Sequence, residues 1–223
     1  MAYVYQINPK RRRSIFGSLS LNTIFIIINV VAFILFTILI SLKVFSIDSI
    51  AIKPSNILAG KDIWTFITSM FMHAGFFHLL VNMLSLFFVG SLVEKIIGRK
   101  RYFWFYILSG IFAGLFFVLA SLVFTSDFGT YAVGASGAIF GLIGLLMFLT
   151  PNLPVYIMFI PIPIKMKYAA PGMLILLWII SVTGNVSIGN TAHLGGLLAG
   201  LVYGLFLTMK YKNKTSYIRK QFS

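Results

Sequence analysis

The stretch Leu21 to Leu42 runs for 22 residues without a charge, and a bilayer core asks for about 20 mostly apolar residues per crossing helix. It follows Lys10-Arg11-Arg12-Arg13, which is the order of a secretory signal. The run is longer than the ~7–15-residue core of such a signal, and no small-residue cleavage site follows it. It reads as a first transmembrane helix that is retained. The pattern recurs at Phe76–Ile97, Tyr102–Phe124, Gly134–Leu149 and Thr191–Met209. A further span centres on Pro171–Val182 and extends backward through Tyr168, Ala169 and Ala170. The run from Gly134 is short, at 16 residues. The expected fold is an all-α membrane protein with six spans in residues 21–209, between a basic segment (1–20) and a basic tail (210–223).

Composition supports this class. The chain is 59% hydrophobic and 10% charged, against roughly 45–50% and about 25% in soluble domains. So little polar surface cannot cover an ordinary soluble enzyme. The net charge of +14 fits a nucleic-acid binder, but the apolar excess does not. Sorted by span, the charge becomes a topology signal. With the N-terminus inside, fifteen Lys and Arg fall on that side: Lys10 to Arg13, Lys95, Arg99, Lys100, Arg101, Lys165, Lys167, Lys210, Lys212, Lys214, Arg219 and Lys220. Lys43, Lys53 and Lys61 fall outside, with Asp48, Asp62 and Asp127. The bias predicts that both termini are cytoplasmic, in a multi-pass protein of the plasma membrane. The bilayer is then the expected partner, and nucleic acid is not. With no cysteine, the chain has no disulfides, thiolate metal sites or Cys nucleophile.

No internal repeat, low-complexity tract or separate soluble domain is visible. Two connections are longer than turns. Lys43–Gly75 contains an amphipathic stretch, Ile63-Trp64-Thr65-Phe66-Ile67, suited to the membrane interface. Asn152–Lys167 carries Pro154, Pro161 and Pro163 and reads as a membrane-skimming loop rather than a helix.

Polar groups at membrane depth are costly and mark function by default. All three histidines, His73, His78 and His193, fall near the outer ends of expected spans. A buried histidine bonded to a carbonyl can also serve packing alone. His78 and Asn82 are four apart and share a helix face, with His73 five residues before His78. As a metal site the group is poor, having no acid or cysteine beside it and no His-Glu-x-x-His spacing. It makes an equally poor haem site, because the histidines are not paired on facing helices. As a row of hydrogen-bond donors it is coherent. No metal or cofactor is expected.

The string Gly134-Ala135-Ser136-Gly137-Ala138-Ile139-Phe140-Gly141 has two readings. Small residues at this spacing let membrane helices pack closely without any chemistry. Alternatively, Ser136 opens a helix whose free N–H groups and positive dipole end can hold an anion. Sixteen residues reach only ~24 Å of a ~30 Å core, so the helix start is expected beneath a water-accessible recess. Downstream, His193 precedes Gly196, Gly200 and Gly204, a groove against which the helix carrying Gly137, Gly141 and Gly144 can press. Such contact would bring His193 beside Ser136. A serine hydroxyl needs a base within hydrogen-bond reach to become a nucleophile. The last three spans hold no acid, so the pair would be a dyad.

These residues resemble the rhomboid family of intramembrane serine proteases over roughly Ile63 to Gly204. The resemblance rests on His73-x4-His78-x3-Asn82, on Gly134-x-Ser136-Gly137, and on His193 ahead of Gly196 and Gly200. Glu94-Lys95-x-x-Gly98 is also similar to the family. It implies that Ser136 attacks the scissile carbonyl and that His193 acts as general base and then general acid. It further implies an oxyanion site made by the Ser136 N–H with His78 and Asn82, supported by Gly134, Gly137 and His73. Substrates would be single-span membrane proteins cut near the outer ends of their helices. Two departures stand out. Trp64-Thr65 replaces a common Trp-Arg, which implies a different anchoring of the outer loop. Phe140 replaces a tyrosine that stacks on the catalytic histidine, so it can stack but cannot hydrogen-bond. A rhomboid-like protein that only binds transmembrane helices is the competing reading; such relatives usually lack the serine or the histidine, and both are present here. A transporter or channel would be expected to carry charges within its spans.

Overall fold

The computed structural model describes residues 19–157, 161–184 and 188–222. Lys10, Arg11, Arg12 and Arg13, with most of segment 1–20, lie outside them. Helices of the bundle are α1 (Leu21–Ser41), α4 (Phe76–Ile97), α5 (Arg99–Ala120), α6 (Ser136–Leu149), α7 (Met166–Thr183) and α8 (Asn190–Lys210). Short helices α2 (Pro54–Leu58) and α3 (Thr65–Thr68) lie between α1 and α4, and α9 (Lys212–Gln221) follows α8. All of these but α6 and the short α2, α3 and α9 are long and apolar enough to cross a membrane, five in number. The chain is therefore a multi-pass membrane protein.

The long helices expose rows of Ile, Leu, Val and Phe, as soluble surfaces do not. On α1, Ile27, Val31, Ile34, Leu35 and Ile38 all face outward. Helix α6 is the opposite: Ala138 through Leu146 and Leu149 are buried. A helix that is apolar on every side belongs inside a bundle, and α6 is enclosed by α5, α8 and α4. Its 14 residues measure about 21 Å. Between α6 and α8 the backbones nearly touch. A Cβ on Gly200 would lie 2.6 Å from Leu145 N and 2.8 Å from Gly144 Cα; one on Gly196 would lie 3.2 Å from Gly141 N. On the other side, Gly137 and Gly141 meet Ala113 and Ser109 of α5.

One end of the bundle is fixed by a polar knot. Both Glu94 carboxylate oxygens accept backbone N–H groups at the start of α1, from Leu21 (2.9 Å) and Asn22 (2.8 Å). An anion is favoured there by unpaired donors and the helix dipole. Asn22 is fully buried; its amide donates to Leu86 O and Ser91 Oγ and accepts from Tyr102 OH at 2.6 Å. Leu86 begins a π-turn, Leu86–Gly90, inside α4. Tyr211 at the end of α8 accepts from Arg101 at the start of α5, which sets these helix ends side by side.

Several boundaries differ from the expected spans. Helix α5 starts at Arg99, because Gly98 (φ +83°) turns the chain sharply after α4, and stops at Ala120 before a turn through Phe124. Helix α7 begins at Met166 and carries Pro171 inside it. The start of the expected skimming loop pairs with its end as a two-stranded ribbon, β1 (Pro154–Val155) and β2 (Ile164–Lys165). Residues 210–223, expected as a basic tail, contain α9.

The Lys43–Gly75 segment is tied to the turn after α5. Ile52 pairs with Ala132, and Asp48 accepts from Tyr131 OH (3.0 Å) and Asn56 (3.1 Å), with Lys53 Nζ at 3.5 Å. The Tyr131 hydroxyl, followed by the Lys53 charge, holds the Asp48 carboxyl below the usual range. Trp64 donates to Ser49 O, and the buried Thr65 hydroxyl donates to Asp62 O. Those two bonds anchor the loop at Trp64-Thr65.

Candidate active site

Ser136 is the first residue of α6, and no side chain caps that helix start. The turn leading into it is set by Gly134, with φ +122°, a conformation that L side chains avoid. Gly134 N–H donates to Ser69 O at 2.9 Å. A Cβ on Gly134 would sit 2.8 Å from His78 Cε1 and 3.7 Å from Ser136 Oγ. Glycine is thus required both by the backbone angle and by the histidine packed on it.

His193 lies in the first turn of α8 and is buried. Its Nε2 is 2.8 Å from Ser136 Oγ. The Phe140 ring, one turn along α6 from Ser136, stacks on the imidazole with centroids 4.6 Å apart and planes 18° from parallel. His193 Nδ1 is buried without a hydrogen-bond partner among the described residues. The close contact of Gly196 and Gly200 with α6 fixes the distance between these two helices and hence between the two side chains.

His78 is half-buried against Gly134. Its Nδ1 accepts from Ala74 N–H at 3.3 Å; an accepting Nδ1 puts the proton of a neutral ring on Nε2. Asn82 is buried, and its amide donates to His78 O at 2.8 Å, leaving its second N–H uncommitted. His73 packs edge-on to His78 (5.2 Å) and to Phe33 (6.4 Å), fully buried, and neither ring nitrogen has a hydrogen-bond partner among the described residues. It stands behind His78 rather than beside Ser136. Gly137, Gly141, Gly196 and Gly200 form helix contacts. Among the described residues no group of three or more His, Asp or Glu side chains converges to hold a metal ion.

Some contributors have no signature in a single sequence. The Ser69 carbonyl and the Ala74 N–H act through the backbone, which any residue supplies. Gly195 left a signal: in the Gly195-Gly196 pair, the second glycine faces α6, while a Cβ on the first would strike Phe116 Cβ of α5 at 2.5 Å.

The structure thus pairs a serine hydroxyl with a buried imidazole inside a bundle of membrane helices. Residues 60–210 match the Rhomboid domain model, and the chain belongs to the rhomboid family, which includes serine proteases. It is 35% identical over 167 residues to RHOMBOID-like protein 1 of Arabidopsis thaliana, covering 72% of this chain and 38% of that protein. RHOMBOID-like protein 6, mitochondrial, of the same plant is 35% identical over 167 residues, covering 72% of this chain and 48% of its own length. Rhomboid protease GluP of Bacillus subtilis is 32% identical over 152 residues, 66% of this chain and 27% of GluP. The chain thus spans less than half the length of these relatives.

Proposed function

We propose that the protein is an intramembrane serine endopeptidase that hydrolyses peptide bonds near the outer ends of substrate transmembrane helices. The observation that carries this reading is the 2.8 Å contact of Ser136 Oγ with His193 Nε2 at the free start of α6. In this reading α6 is a sixth crossing, both termini are cytoplasmic, and the site opens to the extracytoplasmic side of a cell membrane. The substrates are single-span membrane proteins.

The chemistry follows from the groups present. His193 Nε2 takes the Ser136 proton as Oγ adds to the scissile carbonyl, forming a tetrahedral oxyanion. Collapse breaks the C–N bond as the imidazolium returns that proton to the leaving amine. Water, deprotonated by the same imidazole, then hydrolyses the acyl-serine and regenerates the hydroxyl. Ser136 N–H, His78 Nε2–H and the second Asn82 amide hydrogen are the donors for the oxyanion; removing one such donor costs ~10²–10³ in rate. Among the described residues no carboxylate meets His193 Nδ1, so the stacked Phe140 ring takes over the orienting of the imidazole. A substrate peptide bond must leave its helix to reach Oγ, because a helical peptide bond is shielded by its neighbours.

The test is cleavage of a single-span substrate by the purified protein in detergent. Wild type is expected to cut it, Ser136→Ala and His193→Ala to leave it intact, and His78→Ala to cut it ~10²–10³ more slowly. Equal cleavage by wild type and both dyad variants contradicts the reading; binding of the substrate without any cleavage by wild type indicates a silent helix-binding protein instead.

A further inference from the structure

We propose that α9 is an in-plane docking surface for anionic lipid headgroups, located where α8 leaves the membrane. This rests on the multi-pass character of the chain and is independent of the protease reading.

One residue, Tyr211, separates α8 from α9, and its backbone (φ −128°, ψ 47°) breaks the helix, so that α9 does not continue α8 but turns toward the end of α6. Its ring meets Arg101 and Lys210, with cations 4.9 and 5.8 Å from the centroid. Beyond it, Thr215, Ile218, Arg219 and Phe222 are buried or half-buried. Their spacing of three, four and seven makes one helical stripe. That stripe is pinned to the end of α6: Arg219 donates to Phe148 O at 2.9 Å, with its guanidinium 5.5 Å over the Phe148 ring. With its inner face fixed, α9 turns Lys212, Lys214, Tyr217 and Lys220 outward.

The outward face has the chemistry of an anionic leaflet's counterpart. Residues 210–223 hold five Lys and Arg and no acid. Exposed Lys95, Arg99, Lys100, Arg101 and Lys165 stand at the same end of the bundle. The one acid there, Glu94, has both oxygens committed to the start of α1. Tyr217 is 65% exposed among the lysines; an aromatic amphipathic ring at that level suits the headgroup region. Each cation held near an anionic surface strengthens attraction about fivefold. A cluster that is merely solvated needs neither the tyrosine nor the pinned orientation.

The experiment follows backbone amide exchange of 212–221 in the full chain, in nanodiscs of phosphatidylcholine and in discs with about 30% phosphatidylglycerol. Exchange is expected to slow about tenfold in the anionic discs. Adding about 0.5 M NaCl is expected to reverse this by screening, and K212Q/K214Q/K220Q to abolish it. Equal wild-type exchange in the two discs overturns the proposal whatever the variant does. Inorganic phosphate slowing exchange equally in neutral discs also overturns it, because the site would then bind free anions rather than a lipid surface.

Discussion

Replacing Gly200 with alanine tests whether helix contact sets the geometry of the Ser–His pair. The new Cβ would lie 2.6 Å from Leu145 N and 2.8 Å from Gly144 Cα, backbone atoms that cannot rotate aside. Ordinary contact begins near 3.4 Å, and Gly141 O lies closer to the new Cβ than Leu145 N does, so α6 and α8 must part by at least ~0.8 Å. If α8 moves as a rigid rod, the 2.8 Å Ser136–His193 contact opens to at least ~3.6 Å, beyond a hydrogen bond. A misplacement of this size is expected to cost about 10²-fold in kcat. The assay is cleavage kinetics on folded protein, with thermal unfolding measured alongside. Gly172→Ala in α7 is the control, since nothing lies within 4 Å of its added Cβ; it should leave activity unchanged. Full activity and an unchanged unfolding midpoint in Gly200→Ala would refute the idea that this contact spaces the pair.

Three further outcomes follow from the geometry. Phe140→Leu removes the stack on His193 while keeping an apolar filler; a stack worth about 0.5–1.5 kcal/mol gives a kcat lower by about 2- to 13-fold, with KM unchanged and Phe140→Tyr close to wild type. Asn22→Leu strips partners from Tyr102 OH and Leu86 O, at about 1–3 kcal/mol per orphaned group, so the unfolding midpoint should fall while kcat at low temperature holds. Asp48 has a carboxyl pKa lowered from 3.8, first by Tyr131 and then by Lys53, so its tether favours the fold above pH 3.8 and fades as pH falls through the lowered value. Limited pepsin digestion should therefore cut 46–62 faster only at the acid extreme, and Tyr131→Phe should move that onset to higher pH; digestion indifferent to both would contradict the tether.

Much of this architecture was legible because lipid leaves few choices. Uninterrupted apolar runs marked α1, α4, α5 and α8 to within a few residues, and the basic clusters fall at helix ends that Arg101 and Tyr211 hold side by side. The glycine spacing of 196, 200 and 204 announced a close helix pair. Other features were hidden for physical reasons. Nothing local in Asn22 says that it will be buried; that depends on a carbonyl at the π-turn of α4 and a hydroxyl 80 residues away. Helix α9 is polar overall, so its inner stripe emerges only once Arg219 is seen to meet Phe148. At the candidate site, residue types with distinctive chemistry stood out in the sequence, whereas the backbone groups of Ser69 and Ala74 did not.

A Ser136 nucleophile activated by His193 should react with a fluorophosphonate probe, which reads that property without a known substrate. Labelled wild-type protein, digested and mapped by mass, is expected to carry the phosphonyl adduct on Ser136. The adduct should be missing from Ser136→Ala and strongly reduced in His193→Ala, with both variants folded. An adduct on another residue, or labelling that persists undiminished in both variants, would contradict the account.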